Sequence, residues 1–309
     1  MYDVAILGAG PAGVNAAVYS ARYKLKTLLI SQNIGGFVGS AHIIENVPTI
    51  KPTNGAEVVK NYRHHIKNNN IDYQKDTIVE IVKETKDNQN YFKVITKENT
   101  YKAKFVIYAL GTKKRMLNVP GENKYFGKGV HTCATCDAPF YMDKDVMVVG
   151  GNDSGAKTSL FLSEYVNSII LVEMQSNLPM EPLWKERIEK NNKIKVITNT
   201  TVKEIKGDEF VNEVVLNNNE SHSVSGVFIE IGSDPILDIA KTVGVLADKF
   251  NYIDVDKTQM TNVDGFYAAG DLTNNSNYLR QIASAYAEGA VASNSIFKRV
   301  LNKKQNKIK

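Results

Sequence analysis

Cysteine is scarce in this chain: 309 residues carry two of them. That scarcity excludes a disulfide framework, which needs several pairs. It also argues against zinc, since a structural site takes about four ligands and only His131 lies near the two sulfurs. Long apolar runs are missing too. No segment approaches the roughly 18–20 apolar residues that span a bilayer, so no membrane partner is expected. A strong excess of one charge is also lacking. The 38 Lys+Arg and 33 Asp+Glu leave a net charge of +5. Much of that excess follows Phe297, in Lys298, Arg299, Lys303, Lys304, Lys307 and Lys309. Such a cluster reads as a solvated helix end, so no nucleic-acid partner is expected either. An apolar strand starts within the first few residues, which leaves no room for a signal peptide. The expected compartment is the cytoplasm.

What the chain does contain is one local grammar used twice. Tyr2 to Leu7 is a short apolar run suited to a buried parallel strand. Gly8-Ala9-Gly10-Pro11-Ala12-Gly13 follows at once, then a helical stretch from Pro11 to Lys24 and a strand at Thr27 to Ile30. Strand, glycine turn, helix and strand within about 30 residues make a dinucleotide-binding unit. The first glycine permits the tight turn, the second lets backbone approach a pyrophosphate, and the third lets helix and strand pack closely. The helix N-terminus then offers free N–H groups to phosphate. An acid customary at the end of the second strand is missing, and Ser31 stands in that region.

The second copy runs from a strand at Asp145 to Val149, through Gly150-Gly151-Asn152-Asp153-Ser154-Gly155, into a helix over 154–165 and a strand at Ser168 to Val172. Further strands are expected at 77–82, 91–96 and within 202–216. A chain of this length suits about two domains. The expected fold is therefore α/β, with two three-layer dinucleotide-binding domains and the second inserted into the first. The first comprises 1–113 and 243–309, ending in a long helix from about Leu279, and the second comprises 114–242. Two linker strands join them as a hinge.

Both cysteines fall in Cys133-Ala134-Thr135-Cys136-Asp137, just ahead of the second fingerprint. The spacing admits a metal site, an inert buried pair or a dithiol–disulfide couple. Redox chemistry fits best, because both sulfurs come within bonding reach at a helix start, where the dipole favours a thiolate. Asp137 is either a proton-handling acid or a plain first-turn helix residue.

These motifs, with Gly35-Gly36, Glu45-Asn46, Ala109-Leu110-Gly111-Thr112 and Ala268-Ala269-Gly270-Asp271, resemble the low-molecular-weight thioredoxin reductase family over nearly the whole chain. The resemblance implies FAD in the first domain, a nicotinamide cofactor in the second, a homodimer, and thioredoxin or a glutaredoxin-like protein as partner. It implies that Gly8, Gly10, Pro11, Ala12, Gly13, Ser31, Gly35, Gly36, Asn46, Gly111, Thr112, Gly270, Asp271, Arg280 and Gln281 surround FAD. Asp271 holds the ribityl chain in that scheme, although a helix N-cap role is equally compatible with it. Cys136 faces the flavin, Cys133 attacks the partner's disulfide, and Asp137 relays the proton.

The second fingerprint departs from that family. Asn152 replaces its middle glycine, and the stretch from Glu173 to Pro179 holds none of the cations that bind the 2′-phosphate of NADPH. NADPH is therefore a poor fit. Gly150, Gly151, Asn152, Gly155 and Glu173 are either remnants of a lost nicotinamide site, with ferredoxin or a deazaflavin as donor, or an NADH site in which Glu173 takes the ribose 2′-hydroxyl. A flavin-dependent dithiol oxidase using oxygen is the alternative activity, and a redox-sensing flavoprotein the non-enzymatic one.

Overall fold

The computed structural model describes residues 1–86 and 89–305; Lys307 and Lys309 of the basic tail lie outside the described residues. In chain order, β1 (Tyr2–Ala9) leads into α1 (Pro11–Arg22), β2 (Thr27–Ile34), α2 (Gly55–Asn68), β3 (Asp72–Gln74), β4 (Ile78–Lys86), β5 (Gln89–Thr96), β6 (Thr100–Tyr108) and β7 (Thr112–Lys114). Next come α3 (Glu122–Tyr125), β8 (Val130–His131), α4 (Ala134–Asp137), β9 (Asp145–Val149), α5 (Asp153–Leu162), β10 (Ser168–Val172), α6 (Pro182–Glu189) and β11 (Ile194–Ile197). The strands β12 (Val202–Gly207), β13 (Val211–Leu216), β14 (Ser221–Ser223), β15 (Gly226–Ile229) and β16 (Ser233–Pro235) follow. The chain closes with α7 (Asp238–Lys241), β17 (Phe266–Ala268) and α8 (Ile282–Gln305).

Two compact units emerge: Met1–Lys113 with Pro235–Lys309, and Lys114–Asp234. The first unit is built on a seven-stranded sheet in the order β3-β2-β1-β6-β5-β4, with β17 also paired to β6. Strands β3, β2, β1, β6 and β17 run parallel, whereas β4 and β5 join antiparallel. The apolar run of β1 is buried on both faces because its side chains alternate between two cores. Val4 and Ile6 meet α1 and α8 through Ala16, Ala17, Ala292 and Ile296. Ala5 and Leu7 enter a core with Tyr108, Phe92 and Phe266. Helix α8 lies close on α1: a Cβ added to Gly289 would stand 2.1 Å from the Ala12 carbonyl oxygen.

The second unit has a five-stranded parallel sheet, β11-β10-β9-β15-β8, and a three-stranded antiparallel one, β12-β13-β14. Met147, Val149, Val172, Val227 and Ile229 form its core with Val214 and Leu216. Strands β7 and β16 pair as a two-stranded sheet. One boundary differs from the sequence reading. Residues 235–242, expected in the second domain, belong to the first unit. Leu237 and Ala240 bury with Ala5, Leu7 and Tyr108, so their apolar surface decides the return point ahead of Gly244.

Candidate active site

The two glycine turns share a backbone. Gly8 and Gly150 both sit at positive φ, +106° and +114°, where a side chain would be strained. An added Cβ at these positions would meet the carbonyl oxygens of Ala109 and Glu230 at 2.2 and 2.3 Å. The third glycines match as well: a Cβ at Gly13 or Gly155 would lie 1.8 or 1.7 Å from the oxygen of Gly8 or Gly150.

The middle positions part company. A Cβ on Gly10 would meet nothing within 4 Å, and no side chain caps α1. The first turn of α1 is thus left with backbone donors that no side chain takes, the arrangement suited to a phosphate. Around it the fold gathers distant segments. Gly35 donates to Ala9 O at 2.8 Å. A Cβ on Gly36 would lie 3.3 Å from Gly10 Cα, and one on Gly270 would lie 3.0 Å from Ala12 Cβ. Asn46 donates through Nδ2 to Gln281 Oε1 at 2.9 Å. Arg280 stacks its guanidinium 4.0 Å from the Tyr252 ring centroid, and its Nε reaches the Asp271 carbonyl at 3.4 Å. Burial pushes the Asp271 carboxyl above its ordinary value, opposed by the nearby Arg280 charge. Gly111 adopts positive φ with open space around it, next to buried Thr112. Ser31 makes a local bond, its hydroxyl donating to Asn33 O at 2.8 Å.

Glu288 escaped the sequence reading. Buried in α8, its carboxylate accepts from Gly270 N at 2.7 Å, Thr273 Oγ1 at 3.0 Å and Ser276 Oγ at 2.6 Å. It therefore holds the turn that presents Asp271. Its polar character inside a helix of small apolar residues was the available sign.

At the second turn, Asn152 fills the place that Gly10 leaves open. Its Oδ1 accepts from Ser154 N at 2.8 Å and Gly155 N at 3.1 Å, and its Nδ2 donates to Glu230 O at 2.7 Å. The helix donors are thus consumed by the chain itself. Asp153, also at this helix start, accepts from Glu181 N at 2.7 Å. Glu173 is 5% exposed, and its two carboxylate oxygens accept from Gly151 N at 2.6 Å and Gln175 N at 2.9 Å. Leu178 lies over Gly151, where an added Cβ would come within 2.7 Å of its Cδ2.

The cysteines form a disulfide, with Cα atoms 5.4 Å apart. Cys136 is exposed and Cys133 partly so. The helix expected to lower a thiol pKa here proves to be a single turn, Ala134–Asp137, which passes into a 3-10 turn at Ala138–Tyr141. Pro139 lacks the N–H that would continue it, so no aligned helix dipole is available to Cys133. Asp137 instead lies 3.0 Å from His131 Nδ1. The other ring nitrogen, Nε2, meets the Tyr141 hydroxyl at 2.6 Å. Among the described residues no cluster of three or more His, Cys, Asp or Glu is placed to hold a metal ion, and no helix is long and apolar enough to cross a membrane.

Residues 2–289 match the family model of the pyridine nucleotide-disulphide oxidoreductases. A thioredoxin reductase of Peptoclostridium litorale is 36% identical over 307 residues, covering 94% of this chain and 95% of that protein. The thioredoxin reductase of Lactococcus lactis superposes with a TM-score of 0.92 at 31% identity, over 98% of this chain and 100% of the other. A ferredoxin-flavin thioredoxin reductase from Clostridium acetobutylicum aligns over 97% of this chain and 98% of its own, with 28% identity and a TM-score of 0.53.

Proposed function

Because this chain belongs to the thioredoxin reductase branch of the pyridine nucleotide-disulphide oxidoreductase family, and is thus an oxidoreductase, we propose that it reduces protein disulfides through Cys133 and Cys136. The partner is thioredoxin or a thioredoxin- or glutaredoxin-like protein, and the working form is a homodimer. The observation that carries this reading is the disulfide itself, formed by the chain's two cysteines on an accessible turn with a carboxylate one residue on. The exchange opens with a Cys133 thiolate attacking the partner's disulfide, and Cys136 resolves the mixed disulfide. Asp137 handles the proton that the exchange must move.

The first turn fits FAD. Gly8, Gly10 and Gly13 leave room and uncapped N–H groups for its pyrophosphate. Gly35, Gly36, Asn46, Gly111, Thr112, Gly270, Asp271, Arg280 and Gln281 are its further ligands. Bound there, FAD would supply the electron pair that reopens the Cys133–Cys136 disulfide.

The second turn does not fit a nicotinamide dinucleotide. Asn152 takes the helix donors a pyrophosphate needs, and Asp153 places a carboxylate at the same helix start. The Glu173 oxygens that would serve an NADH ribose already accept backbone N–H groups. The donor is therefore a low-potential carrier such as ferredoxin or a deazaflavin, a reading supported by the likeness to the ferredoxin-flavin enzyme.

Anaerobic flavin absorbance tests this directly, with NADPH, NADH and a reduced low-potential carrier added separately. Bleaching by the carrier alone is expected. Stoichiometric bleaching by either nicotinamide overturns the assignment of the donor.

A further inference from the structure

His131 lies two residues before the first cysteine and is 8% exposed. Its ring stacks on Phe228 with centroids 5.3 Å apart and meets the edge of Tyr141 at the same separation. Tyr141 in turn rests on Gly226, where an added Cβ would press to 2.4 Å from the ring. A polar side chain in such an aromatic setting costs stability unless both nitrogens are bonded. Both are: Nδ1 to Asp137 Oδ2 at 3.0 Å, and Nε2 to Tyr141 Oη at 2.6 Å.

The partners decide the tautomer. A carboxylate can only accept, so Nδ1 carries the hydrogen toward Asp137; Nε2 then accepts from the Tyr141 hydroxyl. Burial, and then the Asp137 charge, push the Tyr141 hydroxyl up to about 12, which keeps it a donor across the working range of pH. Burial also holds the imidazole below its ordinary pKa, against the pull of Asp137. The charged and titratable groups that bear on the imidazole are Asp137 and Tyr141. Lys144 approaches the Tyr141 ring from outside, 5.7 Å from its centroid.

We propose that His131 is a positioning residue for Asp137, the proton carrier of the cysteine pair, with its Nδ1–H holding the carboxylate and Tyr141 fixing its tautomer. This rests on the reading of Cys133 and Cys136 as a disulfide-exchange couple. The Cys133 thiol first gives its proton to Asp137. The Cys133 thiolate then forms a bond to one sulfur of the substrate disulfide, and the other sulfur leaves as a thiolate that takes that proton from Asp137. The Cys136 thiol next gives its proton to Asp137 as its sulfur bonds to Cys133; the bond between Cys133 and the substrate sulfur breaks, and the released second thiolate takes the proton from Asp137. The enzyme pair is oxidised, the substrate disulfide is reduced by two electrons, and both cysteine protons end on substrate thiols. Through each transfer the Nδ1–H of His131 keeps its hydrogen bond to the carboxylate.

The test separates proton donation from mere support by changing the leaving group. A thiolate of high pKa needs a proton to depart, and one of low pKa does not. The dithiol form of the holoenzyme is mixed with hydroxyethyl disulfide or with 5,5′-dithiobis(2-nitrobenzoate) at pH 8. His131→Phe keeps the ring but removes the N–H that holds Asp137. It is expected to slow the alkyl disulfide about tenfold, less than the hundredfold or more that loss of a general acid itself costs, while the aromatic disulfide changes less than about twofold. Asp137→Asn should show the same split, and the double variant should be no slower than Asp137→Asn. Equal slowing of both disulfides, or no slowing of either, overturns the proposal. If His131→Phe does not fold, the imidazole ¹H–¹⁵N spectrum of the unmodified holoenzyme still decides. The Nδ1–H tautomer supports the positioning role, and the Nε2–H tautomer overturns it. Failure of the underlying exchange reading looks different: Cys133→Ser would then react with both disulfides as fast as the parent.

Discussion

Gly10 and Asn152 occupy equivalent points of the two glycine turns with nearly superposable backbones, φ −74° and ψ −173° against φ −83° and ψ −179°. Only the side chain differs, yet it converts a helix start with unclaimed donors into one that is already satisfied. The contrast separates a helix start whose donors no side chain takes from one whose donors its own cap residue takes.

Gly10→Ala should fold normally, because its Cβ meets open space, but should weaken FAD binding by crowding the pyrophosphate. Gly13→Ala should fail to fold, since its Cβ would sit 1.8 Å from a carbonyl oxygen. Thermal unfolding of the flavin-free proteins, followed by FAD titration of Gly10→Ala, checks both. Unchanged FAD affinity in Gly10→Ala would remove the pyrophosphate from this turn.

Cys133→Ser and Cys136→Ser should each abolish turnover with thioredoxin while the yellow flavin spectrum persists, because the glycine turn assigned to FAD contains neither sulfur. Stopped-flow reoxidation of the reduced flavin by oxidised thioredoxin is the measurement. Turnover surviving in either variant would show that the electrons take another route.

Asn152→Ala removes the N-cap of α5 and leaves two backbone donors unbonded. The cost is about 1 kcal/mol, or a few degrees in the melting temperature. Calorimetry measures it. Asn152→Gly should cost less than Ala, since glycine at an N-cap loses only a few tenths of a kcal/mol relative to asparagine. Neither change should create nicotinamide reduction while Asp153 and Leu178 still cover the turn.

Acid should weaken the fold through His131. Burial lowers its folded pKa beneath the ordinary 6.5, so the unfolded chain binds a proton more readily than the native one. The stability this gives is complete above pH 6.5 and falls as pH drops from there through the folded value. Melting temperatures between pH 7.5 and 5.5 should decline less steeply for His131→Asn than for the parent. An identical slope in the two proteins would show that the imidazole titrates freely.

Much of this was legible in the residues. The apolar run of β1 and the glycines at 8, 13, 150 and 155 dictate their own geometry, because burial on two faces and a carbonyl oxygen within 2.3 Å of a would-be Cβ leave little choice. The CxxC spacing likewise puts both sulfurs within bonding reach, and the disulfide realises one of the three readings it admits. The role of Glu173 was not legible: an acid after a strand reads as a ribose ligand until its oxygens are seen on Gly151 and Gln175. Nor was His131, whose partners lie six and ten residues away on a turn broken by Pro139. The return at Pro235 was hidden for a similar reason, since Leu237 and Ala240 reveal their destination only when the distant core of β1 and β6 is assembled.

The insertion also sets an order of events during synthesis. Lys114–Asp234 is one uninterrupted stretch, whereas the first unit needs β17 and α8 from beyond residue 234. When the second unit has been fully translated, 305 − 234 = 71 residues separate it from the last residue of α8. At about 5–20 residues per second that is a delay of roughly 4–15 s. During it β6 lacks its partner β17, and α1 waits for α8. The second unit is therefore complete in sequence before the first, and α1 gains its neighbour α8 last.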